Sequence, residues 1–308
     1  MKKIIYIRLI QDFEKITKYK IHLIVMEIIL KIKKIFNIIT KKNINNNSIW
    51  VLPYMNNISS EKFEKIIKKE IKNLEDNNIF VISKDLKKEG NLKILNKFNI
   101  KYCTGNLAKK ILAFKVIEYI NRLQSTKTNK REITVLVNEN TKMNIDIIEK
   151  LAIESKMIKI VSEEINNFKK FENSLYNEKG IGIQFSNNYR KSLKSSNFII
   201  NLDFNEKEIN EYDISDKAVI INTEDKIRIR AKSFNGIIIN SYKIKFLKQL
   251  NIMKFEDLSD FEELEIYESL IHNFNKNLIN ENSIKIEGLI GNNGKISEKE
   301  FKNISQNP

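Results

Sequence analysis

The sequence predicts an α/β fold: a small N-terminal α/β domain precedes a doubly wound, mostly parallel sheet, and a C-terminal helix closes the chain. First, short apolar runs alternate with helix-type patterns through residues 131–245. Second, these runs lack period-two alternation, which is typical of strands buried on both faces. Third, turn-forming residues are scarce, with 8 Gly and 2 Pro in 308 residues. Strands that alternate with helices imply parallel strands joined by right-handed crossovers.

Composition and patterning divide the chain into four predicted parts. The first, 1–45, is a basic amphipathic helical segment that ends in a polar hinge. The second, 46–124, is the small α/β domain, and the third, 131–250, is the doubly wound domain. The fourth, 256–308, begins with an acidic helix and ends in a short helix and a tail. The polar run STKTNKR at 125–131 marks the clearest boundary, because it follows the strongest helix pattern of the chain.

The N-terminal segment predicts one helix over residues 20–39. Glu27, Lys31 and Lys34 form a narrow polar stripe at helical spacing, and the remaining face is wide and apolar. Such a helix either packs against the body of the protein or lies on an anionic membrane surface. Peripheral membrane contact through this segment is therefore left open.

The small domain is predicted to contain three strands and three helices, and residues 91–105 supply a short helix and the third strand. The run IWVLPYM at 49–55 reads as a strand that ends at a proline, and NIFVIS at 78–83 reads as a second strand. Between them, residues 59–76 have helix periodicity, with a serine as the N-cap. Residues 106–124 form the longer helix, because their apolar residues make one broad face.

The doubly wound domain begins with the strand Ile133–Val137, which we expect at the centre of its sheet. The loop Asn138–Asn144 follows, and then a helix with an apolar face at 144–155. Further strands are predicted in the later apolar runs, among them 197–204 and 217–223. In open α/β sheets, ligands bind at the carboxyl ends of the strands. We therefore expect any ligand site at the loops that follow these strands.

Charge and cysteine content limit the classes of partner and site. The net charge is +15, but Lys supplies 48 of the 54 basic residues, since six are Arg (54 − 6). Because base recognition relies on the bidentate geometry of arginine, this composition disfavours a nucleic-acid partner. A protein partner or a small-molecule ligand remains open. The single cysteine, Cys103, and two distant histidines exclude an internal disulfide and predict no metal site.

The same features predict a cytoplasmic protein. No signal peptide is recognisable at the start of the chain, and the longest uncharged run near it, IHLIVM at 21–26, is interrupted by charge soon afterwards. A spanning helix needs about 20 consecutive apolar residues.

Two segments carry a resemblance to a known group of enzymes. The run LKSSNFIINLDF at 193–204 is similar to the strand over which nicotinamide lies in that group, and KAVIINTEDKI at 217–227 is similar to the strand after it. The chain thus resembles the two-domain, NAD(P)-dependent enzymes of the glutamyl-tRNA reductase, shikimate dehydrogenase and dipicolinate synthase type. The resemblance implies an N-terminal substrate domain before a Rossmann-like domain. It also invites comparison of Cys103 with the thioester-forming cysteine of the reductases, although an inert, buried thiol is favoured.

The loop after the first strand departs from the pattern of that group. The group has glycines there, which allow a tight turn and close approach of the backbone to a pyrophosphate. This loop has none, and Asn138 and Asn140 place side chains where the approach needs space. We therefore expect no cofactor bound in the ordinary way, with NAD or NADP as the alternative. The candidate crevice residues are Asn138, Asn140, Glu163 and Asn201.

Three functions are compatible with these observations. The first is a Rossmann-like protein without an ordinary dinucleotide loop, acting as a non-catalytic or regulatory binding module. The second is a divergent NAD(P)-dependent oxidoreductase of the group named above. The third is a protein that binds an anionic surface, either a membrane or a nucleic acid, and it depends on the net charge alone.

Overall fold

The computed structural model describes residues 3–10, 29–31, 33–35, 38–44, 47–54, 57–74, 78–247, 258–273 and 283–305. The chain divides into two compact units. Unit 1 consists of Met1–Gly105 and Phe246–Ser283, and unit 2 consists of Asn106–Lys245 and Ile284–Pro308. This division does not test the four-part division predicted from the sequence, which stays a prediction.

Unit 1 contains a four-stranded sheet with the order β2-β3-β1-β4. Strand β1 is parallel to both β3 and β4, whereas β2 is antiparallel to β3. A parallel bridge between Phe80 and Tyr102 extends the sheet beyond β4. The strands are β1 (Ile4–Leu9), β2 (Thr40–Ile44), β3 (Asn47–Leu52) and β4 (Ile79–Ile82). The helices are α1 (Ser60–Glu70), α2 (Glu89–Lys97) and α7 (Glu263–Asn273), with 3₁₀ turns at Ile71–Asn73 and Lys84–Leu86.

Alternate residues of β1 pack into two different cores. Ile5, Ile7 and Leu9 belong to one apolar cluster, which includes buried residues of α1 and α2. Ile4 and Tyr6 belong to a second cluster, which includes buried residues of α7. Because successive side chains of a strand point to opposite faces, the sheet of unit 1 is covered on both faces. The continuous apolar runs of its strands follow from this burial.

Unit 2 is built on a six-stranded sheet with the order β10-β9-β8-β5-β6-β7. All of its neighbouring strands pair in parallel. The strands are β5 (Glu132–Leu136), β6 (Met157–Val161), β7 (Gln184–Ser186), β8 (Phe198–Asn201), β9 (Val219–Asn222) and β10 (Ile237–Ile239). This is the strand order of the doubly wound dinucleotide-binding fold. The prediction of a doubly wound, mostly parallel, Rossmann-like sheet with its first strand central is confirmed.

Helices and a second, small sheet complete unit 2. The helices are α3 (Asn106–Leu123), α4 (Lys142–Glu154), α5 (Lys169–Lys179), α6 (Glu206–Ile209) and α8 (Glu298–Ser305), with 3₁₀ turns at Thr128–Lys130 and Ile165–Phe168. Strands β11 (Ser241–Phe246), β12 (Ile284–Gly291) and β13 (Gly294–Lys295) form a three-stranded sheet. The ends of α4 and α5 follow from local chemistry. Thr141 caps the start of α4 with its side chain, and Gly180 ends α5 in the left-handed conformation.

The predicted N-terminal helix lies largely outside the described residues. Lys31 and Lys34 are helical and exposed, as predicted, whereas residues 38–39 at the predicted end of the helix are not helical. Glu27 and the first part of the helix lie outside the described residues. Within the part of the chain that the structure describes, no helix combines the length and the apolar character that crossing a bilayer requires.

We expect Gly236→Ala to destabilise unit 2 by about 1–3 kcal/mol, the usual cost of overpacking. A Cβ atom at Gly236 would lie 2.1 Å from the carbonyl oxygen of Ala218, which is part of the β9–β10 pairing and cannot move freely. Gly182→Ala is the matched control, because nothing lies within 4 Å of its Cβ position. Urea denaturation of both variants measures the difference, and equal midpoints would contradict the strand packing described here.

Candidate functional site

The chain reverses its winding direction at the carboxyl ends of β5 and β8. From β5 it proceeds through β6 to β7 on one side, and from β8 it proceeds through β9 to β10 on the other side. Open α/β sheets bind ligands in the crevice at such a switch point. The loops that follow β5, β6 and β8 therefore define the candidate site, and all of them belong to unit 2.

The carboxylate of Asp203 is the central group of this site. It accepts hydrogen bonds from the backbone N–H of Asn138 at 2.7 Å and from the backbone N–H of Glu139 at 2.8 Å. The side-chain amide of Asn144 donates a third bond at 3.2 Å. Both carboxylate oxygens are thus bound by the loop that follows the first strand. Backbone N–H groups in this loop are the groups that bind phosphate in dinucleotide-binding folds.

Helix α4 presents its N-terminus directly beyond this loop. The Thr141 hydroxyl accepts from the Asn144 N–H at 3.2 Å, which satisfies one of the first N–H groups of the helix. The Asn144 side chain is buried, and its amide also donates to the Glu139 carbonyl at 2.9 Å. Its side-chain oxygen has no hydrogen-bond partner among the described residues. A buried acceptor of this kind can take a hydrogen bond from a water or a ligand hydroxyl.

Asn138 connects the loop to the end of the second strand. Its side-chain oxygen accepts from the Glu163 N–H at 2.9 Å and from the Ser162 hydroxyl at 3.3 Å. The Glu163 carboxylate is exposed and accepts from the Tyr189 hydroxyl at 3.2 Å. This hydrogen bond and the negative charge of Glu163 raise the pKa of Tyr189. The structure therefore brings the predicted residues Asn138 and Glu163 together.

The two other predicted residues have different surroundings. The side-chain amide of Asn140 donates to the carbonyl of Asn167, at the rim of the loop. Asn201 is fully buried, and its side chain bonds the backbone of Phe204 in both directions, at 2.7 and 2.9 Å. The Asn201 amide also donates to Asn222 at 2.8 Å. The role of Asn201 as a cofactor ligand stays a prediction. In the structure, its side chain stabilises the turn that contains Asp203.

Asparagine side chains continue along this edge of the sheet. The Asn222 amide donates to the Asn240 side-chain oxygen at 2.9 Å, and the Asn240 amide donates to Asn292 at 3.0 Å. Each of these asparagines except Asn292 is buried. Because buried amides are stable only when they are hydrogen-bonded, the chain of amides fixes the ends of β8, β9 and β10 relative to one another.

Lys110 brings positive charge to the same edge. Its ammonium group lies 2.7 Å from the Glu224 carboxylate and is largely buried on helix α3. Burial raises the pKa of the Asp203 carboxyl above its ordinary value. The N–H groups of Glu139 and Asn138 and the charge of Lys110 act in the opposite direction, and the charge of Glu139 raises it further. Asp203 is therefore easier to protonate than an exposed aspartate.

Unit 1 contains a separate concentration of titratable groups. Cys103 is 2% exposed, and burial raises the pKa of its thiol well above the usual range, with Glu268 and Glu265 adding to the effect. Such a thiol is not an activated nucleophile. Glu265 is also buried, and burial raises its pKa to about 7 although Lys87 lies 2.5 Å from its carboxylate. Within the described residues, no group of three or more His, Cys, Asp or Glu side chains is arranged to hold a metal ion.

Comparison with known proteins finds solved structures of low similarity. No protein-family model and no curated protein matches the sequence. An oxidoreductase from Ralstonia solanacearum, described as a D-3-phosphoglycerate dehydrogenase, is similar with a TM-score of 0.37 and 9% identity over 77% of this chain and 80% of that chain. L-tryptophan dehydrogenase from Nostoc punctiforme has a TM-score of 0.33 and 8% identity, over 99% of this chain and 87% of that chain. Dipicolinate synthase, A chain, from Bacillus subtilis has a TM-score of 0.37 and 9% identity, over 77% and 87%.

These similarities correct one prediction made from the sequence. The glycine-free loop led to the expectation of no cofactor. The similar solved structures are dehydrogenases and dipicolinate synthase, and they point to a nucleotide cofactor rather than to none. The expectation failed because it treated the missing glycines as decisive, although the strand order and the switch point are retained.

Sequence reasoning missed the two charged residues that dominate the site, Asp203 and Lys110. A signal for Asp203 was present, since it lies two residues after the apolar strand that ends at Asn201, where ligand-binding residues are expected. Lys110 gave no signal, because it is one of many lysines and lies on a helix assigned to the small domain.

We expect Glu265→Gln to remove a pH dependence of stability. The folded state raises the pKa of Glu265 from 4.5 to about 7, so it binds a proton that the unfolded state releases between these values. The free energy of unfolding should therefore fall as the pH rises through this window, by up to about 3 kcal/mol from this group. Chemical denaturation across the window measures the slope.

Glu263→Gln is the control for this experiment. Glu263 lies two positions earlier and is partly exposed, and its charge is not among the causes of the raised pKa of Glu265. This control should keep the wild-type pH profile, because an exposed carboxylate contributes little to stability. An unchanged profile in Glu265→Gln would show that the carboxyl is ionised throughout.

Proposed function

We propose that unit 2 binds a nicotinamide dinucleotide at the carboxyl edge of its sheet, and that the protein is a divergent NAD(P)-dependent oxidoreductase. One observation carries the proposal: the strand order of the dinucleotide-binding fold, with polar and charged side chains converging at its switch point. The loop after β5, the acid after β6 and the start of α4 occupy the positions at which that fold binds pyrophosphate and ribose.

The ribose would be bound by Glu163. An acidic residue after the second strand accepts hydrogen bonds from the ribose hydroxyls in NAD-binding folds. Glu163 lies two residues after the end of β6, and its N–H is fixed by Asn138. Its carboxylate is exposed. A carboxylate at this position repels the 2′-phosphate of NADP, so this arrangement favours NAD over NADP.

The phosphates would be bound at the start of α4. The first N–H groups of a helix have no partner within the helix, and the helix dipole favours negative charge there. Helix α4 has no acidic residue in its first turn, and Lys142 is its first residue. The charge and the geometry of this helix therefore suit an anion.

A second candidate function is a nucleotide-binding module without turnover. It is favoured by the hydrogen bonds of Asp203, which already occupy the N–H groups of Asn138 and Glu139. The two candidates differ in one measurement. Loss of NADH absorbance with any member of a panel of 2-oxo acids supports the oxidoreductase, whereas binding without oxidation across the panel supports the module. For either function the predicted location is the cytoplasm.

We expect Glu163→Gln to weaken NAD⁺ binding about tenfold or more, because a hydrogen bond to a charged group contributes roughly 1.5–3 kcal/mol. Binding of NADP⁺ should change less or improve, since the repelling charge is removed. Isothermal titration with NAD⁺, NADH, NADP⁺ and NADPH measures all four affinities.

Glu164→Gln is the matched control, because this substitution removes the same charge from the adjacent glutamate, which is also exposed. Equal losses in the two variants would indicate an effect of net charge, and would contradict ribose binding by Glu163. The proposed function itself is overturned when none of the four dinucleotides binds to the wild-type protein or to its Asp203→Asn variant.

A further inference from the structure

The loop N–H groups that suit a phosphate already bind an anion that belongs to the chain. Both oxygens of Asp203 are held by successive backbone N–H groups, those of Asn138 and Glu139. A carboxylate and a phosphate accept the same kind of hydrogen bond, and both are favoured by N–H groups close to the start of a helix. The same N–H groups cannot form full hydrogen bonds with both the Asp203 carboxylate and a phosphate.

Charges near Asp203 affect whether its carboxylate stays ionised and hydrogen-bonded to the loop. Burial opposes ionisation of Asp203, and the nearby charge of Glu139 opposes it too. Lys110 on α3 is the cation that acts in favour of the ionised form. A dinucleotide would add two further negative charges to this edge. A bound phosphate would therefore repel the ionised Asp203 carboxylate and weaken its hydrogen bonds to the loop.

Building on the proposed function, we infer that Asp203 is an internal competitor of the dinucleotide phosphates. The Asp203 carboxylate holds the N–H groups of Asn138 and Glu139 in the absence of ligand, and nucleotide binding requires that it release them. Affinity for the dinucleotide is thereby set by Asp203 as well as by the contacts of the ligand. The buried side-chain oxygen of Asn144, which has no partner within the described residues, can accept a hydrogen bond from a ligand hydroxyl.

The test compares NAD⁺ affinity, by isothermal titration, in the wild-type protein, Asp203→Asn and Asp203→Ala. Removal of the negative charge should tighten NAD⁺ binding about tenfold or more in both variants. Asp216→Asn is the matched control, because Asp216 is an exposed aspartate that precedes β9 and so lies at the opposite edge of the sheet. It should leave the affinity unchanged.

Stability measurements separate competition from a purely structural role. If Asp203 only fastens the loop, both variants will unfold more easily and bind NAD⁺ no better than the wild-type protein, which overturns the inference. If neither variant folds, the wild-type protein is titrated with NAD⁺ at about pH 7.5 and about pH 5.5. The lower pH favours the protonated form of Asp203, because burial raises the pKa of its carboxyl. A rise in affinity at the lower pH supports the inference, and an equal or lower affinity overturns it.

The outcomes also distinguish this inference from the proposed function. NAD⁺ binding that Glu163→Gln weakens but Asp203→Asn does not tighten leaves the proposed function intact and overturns the inference alone. NAD⁺ binding that appears only in Asp203→Asn supports both. If no dinucleotide binds to any of the variants, the proposed function is overturned and the inference falls with it.

Discussion

The hydrogen bonds between the Asp203 carboxylate and the loop after β5 hold the switch point of unit 2 together. β5 and β8 are neighbours in the sheet, and Leu136 pairs with Asn201 at their carboxyl ends. Beyond this pair, the loops after β5 and β8 run in different directions and no longer pair with each other. Their backbone N–H groups therefore need other hydrogen-bond partners. Asp203 satisfies two N–H groups of one loop from the other. The position of helix α4 and the orientation of Asn138 toward Glu163 follow from this connection.

The sequence was sufficient to predict the framework, because the framework depends on local patterns. Apolar runs without alternation identified the buried strands, and helices between them implied parallel crossovers. The central position of β5 follows from these rules. The site was predictable only in part. Asn138 and Glu163 follow strands and were named for that reason, whereas the contact between Asn138 and Asp203 spans 65 positions and depends on the register of β5 and β8.

Asn201 shows why residue type and position do not define a role. It lies at the end of a central strand, as a ligand-binding residue would, yet its side chain bonds the backbone of Phe204 and the side chain of Asn222. A buried amide whose donors and acceptor are satisfied stabilises a turn at little cost, whereas an unsatisfied one is expensive. The position of Asp203 depends on this turn. Asn201 therefore affects the candidate site through Asp203.

The glycine-free loop accommodates the anion that it binds in this structure, the Asp203 carboxylate. Glycines allow the closest approach of a bulky pyrophosphate to the backbone. A carboxylate on a short side chain is smaller, and it reaches the N–H groups of Asn138 and Glu139 at ordinary distances although both residues carry a Cβ atom.

Exchange of this carboxylate for phosphate replaces charge-assisted hydrogen bonds with bonds of the same kind, each contributing roughly 1.5–3 kcal/mol. The balance is then set by charge repulsion, about 3 kcal/mol for two unit charges 5 Å apart at an effective dielectric constant near 20. If the loop exchanges Asp203 for phosphate as inferred, the Asp203 charge determines which of the two anions it binds.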